Sequence, residues 1–122
     1  ARGVGDVVRD LEQRTAGAFD RFAKAIEHQE SRGRQIVNGR PLTSPKGAIG
    51  VMQMLEPTAR ETAQRAGIEW DPNRFRRDAA YNRQLGRAHL AELLDRYAHA
   101  WDHAADRTPH GEAIELKPED FR

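Results

Sequence analysis

The sequence predicts an all-α domain, or an α domain with a minor β element, and three observations lead to this class. Apolar residues recur at helical spacing in four segments, and no segment alternates apolar and polar residues as a half-buried strand does. Four glycines and two prolines gather in residues 31–50, between helical segments. A length of 122 residues fits one domain, and 38% hydrophobic with 32% charged residues build a modest core.

Two helices are expected before residue 31. The first has Asp6 near its start, and the apolar residues on its face are Val4, Val7, Val8 and Leu11. Gly17 interrupts the pattern, so the next segment is a second helix or a bent extension of the first. The residues that share its apolar face are Phe19, Phe22, Ala23 and Ile26. Residues 31–50 then predict a long loop, which a compact domain rarely carries without a use for it.

Two further helices are expected after this loop. Pro57 stands where a first-turn proline is tolerated, because its missing N–H would have no helical partner. Gly67 predicts the C-terminal end of the same helix. The Asp-Pro-Asn sequence at residues 71–73 predicts a turn or a helix start. A long helix is then expected from about Asp78 to Trp101.

Composition and charge exclude several classes of function. Twenty basic residues against nineteen acidic ones leave a formal net charge of +1, so we predict no specific nucleic-acid partner. The absence of cysteine excludes disulfides and thiolate metal sites. No apolar run approaches the ~20 residues of a membrane span, and we expect no transmembrane segment and no signal peptide in this chain.

Glu30 is the first candidate functional residue. At about 100° per residue it returns to the face of Ala23 and Ile26, so we expect it on the apolar side of the second helix. Burial and the partial negative charge of a helix C-terminus both favour a protonated carboxyl, which a general acid needs. The competing interpretation is a Glu30 that turns outward and pairs with Arg32 or Arg34.

Ordered motifs downstream of Glu30 resemble a known family. The three stretches are SPKGAIGVMQM at 44–54, PTA at 57–59 and YNRQLGRAHLAELLDRY at 81–97. Together with the Glu-Ser helix end, they resemble the lytic transglycosylase family of SLT type, which has a goose-type lysozyme-like fold. The resemblance covers residues 19–97. It implies an enzyme that acts on the glycan strands of bacterial peptidoglycan.

The resemblance implies a role for each residue that matches a family motif. The catalytic acid/base falls on Glu30. The substrate-binding positions fall on Ser31, Ser44, Gly50, Met52 and Gln53. Structural support around the site falls on Asn82 and Gly86. The family reaction needs no metal and no cofactor, and we predict neither.

Three features depart from the family pattern. The segment between the Glu-Ser and the Ser-Pro-Lys-Gly motifs is longer than usual, and residues 31–50 carry four basic residues without an acid. This segment either contacts stem-peptide carboxylates or is a solvated loop. His89 stands where the family has Tyr. The AAYN at 79–82 occupies an earlier motif, so the family's active-site Tyr is replaced here or lies in sequence outside this chain.

The expected domain organisation follows from these departures. We expect residues 1–106 to form the lysozyme-like domain, or a version of it that is incomplete on its C-terminal side. Residues 107–122 are then a polar tail or the start of a further segment. Because the chain begins with Ala1 rather than Met, it is expected to be a processed or excised part of something larger.

The function predicted from the sequence is peptidoglycan lytic transglycosylase activity. The resemblance implies that Glu30 acts as the single acid/base, which cleaves the MurNAc-GlcNAc β-1,4 bond with formation of 1,6-anhydro-MurNAc. Glu27, three residues earlier on the same helix, is expected to point elsewhere. One alternative is a lysozyme-like hydrolase of the same bond, and another is a degenerate, non-catalytic wall-binding or structural domain. The expected partners are peptidoglycan glycan strands, with other parts of a parent protein or of a virion or secretion assembly. The expected location is the periplasm, the cell envelope or a virion.

Overall fold

The computed structural model describes residues 3–14 and 17–105, and these residues contain five helices and one short β-hairpin. In chain order the elements are α1 (Val4–Arg14), α2 (Ala18–Ser31), β1 (Ile36–Val37), β2 (Arg40–Pro41), α3 (Glu56–Ala66), α4 (Pro72–Arg77) and α5 (Ala79–Ala105). The predicted class, helical with a minor β element, is confirmed. None of the described helices has the length and hydrophobicity that a membrane crossing requires. The predicted tail at 107–122 lies outside the described residues.

The helix ends follow the local signals in the sequence. Gly17 adopts a left-handed conformation with φ 84°, so α1 and α2 are separate helices and not one bent helix. Pro57 lies in the first turn of α3, and Gly67 ends that helix with φ 68°. Asp71 accepts hydrogen bonds from two backbone N–H groups of α4, so the turn or helix start is a helix start. The six residues of α4 are too few to show a helical repeat, which is why four helical segments were expected instead of five.

The loop expected at residues 31–50 contains a hairpin that the apolar pattern did not indicate. The paired residues are Ile36 with Pro41 and Val37 with Arg40. Asn38 and Gly39 both have positive φ and form the two-residue turn, which is the preferred geometry for a tight hairpin. Isolated bridges then join Ile49 to Thr43 and to Met54. Strands of two residues are too short to alternate, so only the Asn-Gly pair signalled this structure.

The core has two parts along α5, the helix against which α1, α3 and α4 pack. Near the start of α5 the buried residues are Val51, Met52, Met54, Ala59, Ala63, Phe75, Tyr81 and Leu85. Further along, the buried residues are Val7, Phe19, Ala23, Ile26, Leu90 and Ala91. The side chains of Val8 and Leu11, expected on the same face as Val7, lie outside the described residues. Because Val51, Met52 and Met54 belong to the core, the loop with the family motif, at residues 44–54, is anchored by hydrophobic packing.

Gly86 is required where α5 packs against Met52. A Cβ added at Gly86 would lie 2.4 Å from the Met52 Cβ and 2.3 Å from its Cγ. We expect Gly86→Ala to lower the free energy of unfolding by about 1–3 kcal/mol, in spite of the better helix propensity of alanine. The matched control is Gly5 in α1, where an added Cβ meets nothing within 4 Å. Gly5→Ala should raise the free energy of unfolding by about 0.5–1 kcal/mol in the same urea titration. Equal effects at the two positions would contradict the packing explanation.

His89 is a buried imidazole on α5. Its exposed fraction is 7%, and neither ring nitrogen has a hydrogen-bond partner among the described residues. Burial lowers the pKa of His89 from its ordinary value of 6.5, and the nearby Arg65 also lowers it, while Glu92 opposes the shift. The unfolded chain therefore binds a proton more readily than the folded one. The stability that the uncharged His89 contributes is therefore fully present above pH 6.5. It is lost as the pH falls from that value toward the lowered pKa of His89 in the folded chain.

We expect His89→Leu to raise the free energy of unfolding by about 1 kcal/mol at about pH 7.5, because the buried ring nitrogens are removed. The variant should also lose less stability than wild type between about pH 7.5 and about pH 5. Urea titrations at the two pH values measure both effects. His28→Gln at an exposed position is the control and should change the free energy of unfolding at about pH 7.5 by less than about 0.5 kcal/mol. An unchanged pH dependence in His89→Leu would refute this explanation.

Candidate active site

The C-terminal end of α2 brings Glu30 and Ser31 to one edge of the fold. The helix stops at Arg32, which adopts a left-handed conformation with φ 55° and donates its backbone N–H to the His28 carbonyl. Ser31 is 1% exposed, and its hydroxyl donates to the Val51 carbonyl oxygen at 2.8 Å. The end of α2 is therefore tied directly to the loop with the family motif.

A cavity of about 490 Å³ lies beside this end of α2. The lining residues are Gln29, Glu30, Ser44, Pro45, Lys46, Ala48, Gln53 and Leu55. Three residues singled out from the sequence, Glu30, Ser44 and Gln53, thus share one cavity. Glu30 is the one carboxylate among the described residues that line it. The cavity combines this carboxyl with the apolar surface of Pro45 and Leu55, a mixture typical of ligand sites.

Glu30 and Glu27 face different surroundings, although they lie less than one turn apart on α2. Glu30 is half-buried and lines the cavity, and Ala23 and Ile26 of the expected apolar face are buried. Glu27 instead forms an ion pair with Arg83 of α5, with 2.6 Å between carboxylate oxygen and Nε. This carboxylate raises the pKa of Arg83 through its hydrogen bond. The expectation that Glu27 points elsewhere is confirmed.

Ser44 closes the turn that forms one wall of the cavity. Its N–H donates to the Ala48 carbonyl at 2.8 Å, and the Ala48 N–H donates back to the Ser44 hydroxyl oxygen at 3.0 Å. Gly47 completes the turn with φ 90° and donates its N–H to the Ser44 carbonyl. The Ser44 hydroxyl therefore accepts a bond from the turn, which leaves its hydrogen available to a ligand.

Gln53 forms the neighbouring part of the wall. Its amide nitrogen donates to the carbonyl oxygens of Gly50 at 2.9 Å and of Leu42 at 3.2 Å. Both N–H bonds are used, so the amide oxygen is the group that a ligand in the cavity can use. Gln53 has φ 50°, a left-handed conformation that a non-glycine residue adopts only when its surroundings hold it there.

Gly50, Met52 and Ser31 were assigned to substrate binding by resemblance, and the structure buries all three outside the cavity lining. Gly50 has φ 81°, and an added Cβ would lie 2.3 Å from the Asn82 amide nitrogen. Its lack of a side chain thus admits a buried amide at this point. Met52 packs in the core against Gly86.

Asn82 supports the loop from α5. It is 0% exposed, and its side-chain oxygen accepts the Met52 N–H at 2.9 Å. Its side-chain nitrogen donates to the carbonyl oxygens of Ile49 and Phe75, at 3.1 Å each. A second buried amide, Gln35, holds the same loop and was not singled out from the sequence, because no motif or helical pattern includes it. Four other lining residues were also missed, although each lies within two positions of a residue matched to the family, and they are Gln29, Pro45, Ala48 and Leu55.

Tyr81 of the AAYN stretch belongs to the core and not to the cavity. Its side chain is buried, its hydroxyl donates to the Glu69 carbonyl at 2.7 Å, and it accepts the Asp71 N–H at 2.9 Å. The lining residues in the described part of the chain include neither a tyrosine nor His89. These contacts agree with the interpretation of AAYN as part of the earlier motif.

Charged side chains near the cavity do not gather into a metal site. Within residues 3–14 and 17–105, no three His, Asp or Glu side chains lie close enough together to hold a metal ion. The four basic residues of positions 31–50 are exposed, and they are Arg32, Arg34, Arg40 and Lys46. Of these four, Lys46 lines the cavity.

Comparison with known proteins identifies the family. The family model for the transglycosylase SLT domain matches residues 11–106, which is most of the chain and includes every lining residue of the cavity. No curated protein and no solved structure matched the chain significantly. The match, the ordered motifs and the helical fold agree with one another. This chain belongs to the SLT transglycosylase domain family, whose function is of the lytic transglycosylase type.

Proposed function

We propose that this chain cleaves the β-1,4 bond between MurNAc and GlcNAc in peptidoglycan and forms 1,6-anhydro-MurNAc. The observation that carries the proposal is the cavity in which Glu30 is the one carboxylate among the described lining residues. Most glycosidases use two carboxyl groups that flank the bond, at separations of roughly 5–10 Å. A reaction served by a single carboxyl fits this cavity better.

Glu30 serves both steps of the proposed reaction. In its protonated form it donates a proton to the glycosidic oxygen as the bond from C1 to that oxygen breaks. The N-acetyl group of the substrate stabilises the cationic centre that forms at C1. The Glu30 carboxylate then removes the proton from the C6 hydroxyl, whose oxygen bonds to C1. No water is consumed, and the carboxyl ends in the protonated state in which it began.

The rest of the lining supports the binding of a sugar chain. The Ser44 hydroxyl can donate to a sugar substituent, and the Gln53 amide oxygen can accept from one. Pro45 and Leu55 offer apolar surface to the faces of the sugar rings. In this proposal Ser31, Gly50 and Met52 act behind the wall, where they hold it, and do not contact the substrate.

The mass of the products tests the proposal directly. Purified peptidoglycan is digested with the protein, and the soluble muropeptides are analysed by mass spectrometry. We expect 1,6-anhydro-MurNAc ends, which are lighter by one water than the reducing ends of a lysozyme digest. Reducing MurNAc ends would identify a hydrolase of the same bond, and no soluble product would favour a non-catalytic wall-binding domain. The cell envelope or a virion is the proposed location, because the substrate is met there.

A further inference from the structure

Gln35 is a buried side chain in the lengthened loop, and the proposed reaction does not use it. Its exposed fraction is 6%, although its neighbours Arg34 and Ile36 are both exposed. Its amide oxygen accepts the Val51 N–H at 2.9 Å. Its amide nitrogen donates to the carbonyl oxygens of Phe75 at 3.1 Å and of Arg76 at 2.9 Å.

These hydrogen bonds join three parts of the chain. Phe75 and Arg76 lie at the C-terminal end of α4, where backbone carbonyls lack helical partners and need others. Val51 lies in the loop with the family motif, and the Gln35 carbonyl also accepts the Leu42 N–H at 2.8 Å. One side chain therefore connects the hairpin segment, the motif loop and α4. The amide uses both of its N–H donors and one acceptor site.

The Val51 residue connects Gln35 to the cavity. Its N–H is held by Gln35, and its carbonyl oxygen accepts the Ser31 hydroxyl at 2.8 Å. Ser31 directly follows Glu30, and Val51 lies two residues before Gln53. The same residue thus holds the end of α2, with Glu30, and the wall that contains Gln53. A loss of either bond would let these two sides of the cavity move apart.

We propose that Gln35 is a positioning residue for the transglycosylase reaction, which holds the motif loop against the end of α2 so that Glu30 faces the bond to be cleaved. This inference rests on the proposed function of the cavity. Gln35 does not line the cavity, so it acts through Val51 and not by contact with the sugar.

The first test is Gln35→Glu, which keeps an acceptor for the Val51 N–H and removes both N–H donors. At about pH 8 we expect kcat on soluble glycan strands to fall by about 10- to 100-fold, with a smaller change in KM, because Glu30 is misplaced. When the carboxyl group introduced at position 35 is protonated, its O–H can donate to one of the carbonyl oxygens of Phe75 and Arg76 at the end of α4. The ratio of variant to wild-type activity should therefore rise as the pH is lowered to about 5, since burial favours the protonated form. Taking the ratio at each pH removes any pH dependence that the variant shares with wild type.

The second test follows the Val51 hydrogen bond without reference to activity. In Gln35→Met, amide hydrogen exchange at Val51 should become faster, while the Met52 amide, which is bound to Asn82, stays protected. If Gln35→Met does not fold, the Phe75 and Arg76 contacts are tested by Gln35→Glu at about pH 5, where its activity ratio must rise. The control is Gln84→Glu, an exposed glutamine on α5 that should keep wild-type kcat and a flat ratio.

The outcomes separate this inference from the proposed function. Wild-type kcat in a folded Gln35→Glu at about pH 8 overturns the inference, and so does a reduced but pH-independent ratio, which indicates a merely structural residue. Both results leave the proposed function intact, provided that wild type is active and Glu30→Gln is not. If wild type and Glu30→Gln digest peptidoglycan equally, the proposed function fails and the inference fails with it, whatever the exchange at Val51.

Discussion

Glu30→Gln is expected to lower kcat for peptidoglycan cleavage by at least about 10³-fold, because one carboxyl serves as the acid in the first step and as the base in the second. Glutamine has nearly the same shape but can neither give nor take the proton. It should therefore keep the packing of the cavity and affect the chemistry. Release of soluble muropeptides from purified peptidoglycan, measured as an initial rate, is the readout.

Glu27→Gln is the matched control for this variant. Glu27 lies on the same helix and pairs with Arg83 outside the cavity lining, so its replacement should lower the free energy of unfolding by at most about 1 kcal/mol and leave the rate of cleavage unchanged. Urea titration should show that Glu30→Gln keeps its stability within about 1 kcal/mol of wild type. If wild type and Glu30→Gln clear peptidoglycan equally, or if neither does, Glu30 does not have the proposed role.

Asn82→Ala should destabilise the fold more than any other single change considered for this protein, by about 3–5 kcal/mol in the free energy of unfolding. The side chain is fully buried and makes three hydrogen bonds to the backbone. Its removal leaves the Met52 N–H and the carbonyl oxygens of Ile49 and Phe75 without that partner inside the core. It also leaves a cavity next to Gly50, which packs against this amide.

Two further variants on α5 define what Asn82 contributes. Gln84→Ala, at an exposed position two residues later, should change the free energy of unfolding by less than about 0.5 kcal/mol. Asn82→Asp keeps an acceptor for the Met52 N–H but turns a carboxylate toward two carbonyl oxygens, so it should be destabilised at neutral pH and partly recover as the pH is lowered. A loss below about 1 kcal/mol in Asn82→Ala would show that the amide does not hold the loop.

The helices of this protein could be predicted because their signals are local. Gly17 and Gly67 mark helix ends through backbone conformations that glycine adopts readily, and Asp71 caps a helix with its own side chain. The hairpin was missed because strands of two residues show no alternation. The motif order alone indicated the family, which the match over residues 11–106 then established.

The candidate site was predicted in part. Glu30, Ser44 and Gln53 come from three separate positions in the chain and line one cavity, as the resemblance led us to expect. Gly50 and Met52 come from the same motif, yet they are buried against Asn82 and Gly86. A sequence motif indicates which residues occur together in a family. It does not distinguish those that face a ligand from those that hold the wall behind it.

By itself the sequence determined the helical class, the family and the helix face on which Glu30 lies, because periodicity, caps and ordered motifs act over a few residues each. Only the tertiary structure showed what holds Glu27 away from the cavity, because its carboxylate pairs with Arg83, which lies far along the chain on α5. It also revealed Gln35, whose importance comes from backbone groups at Val51, Phe75 and Arg76. Backbone N–H and carbonyl groups occur at nearly every residue, so only the fold can show which of them a buried amide must satisfy.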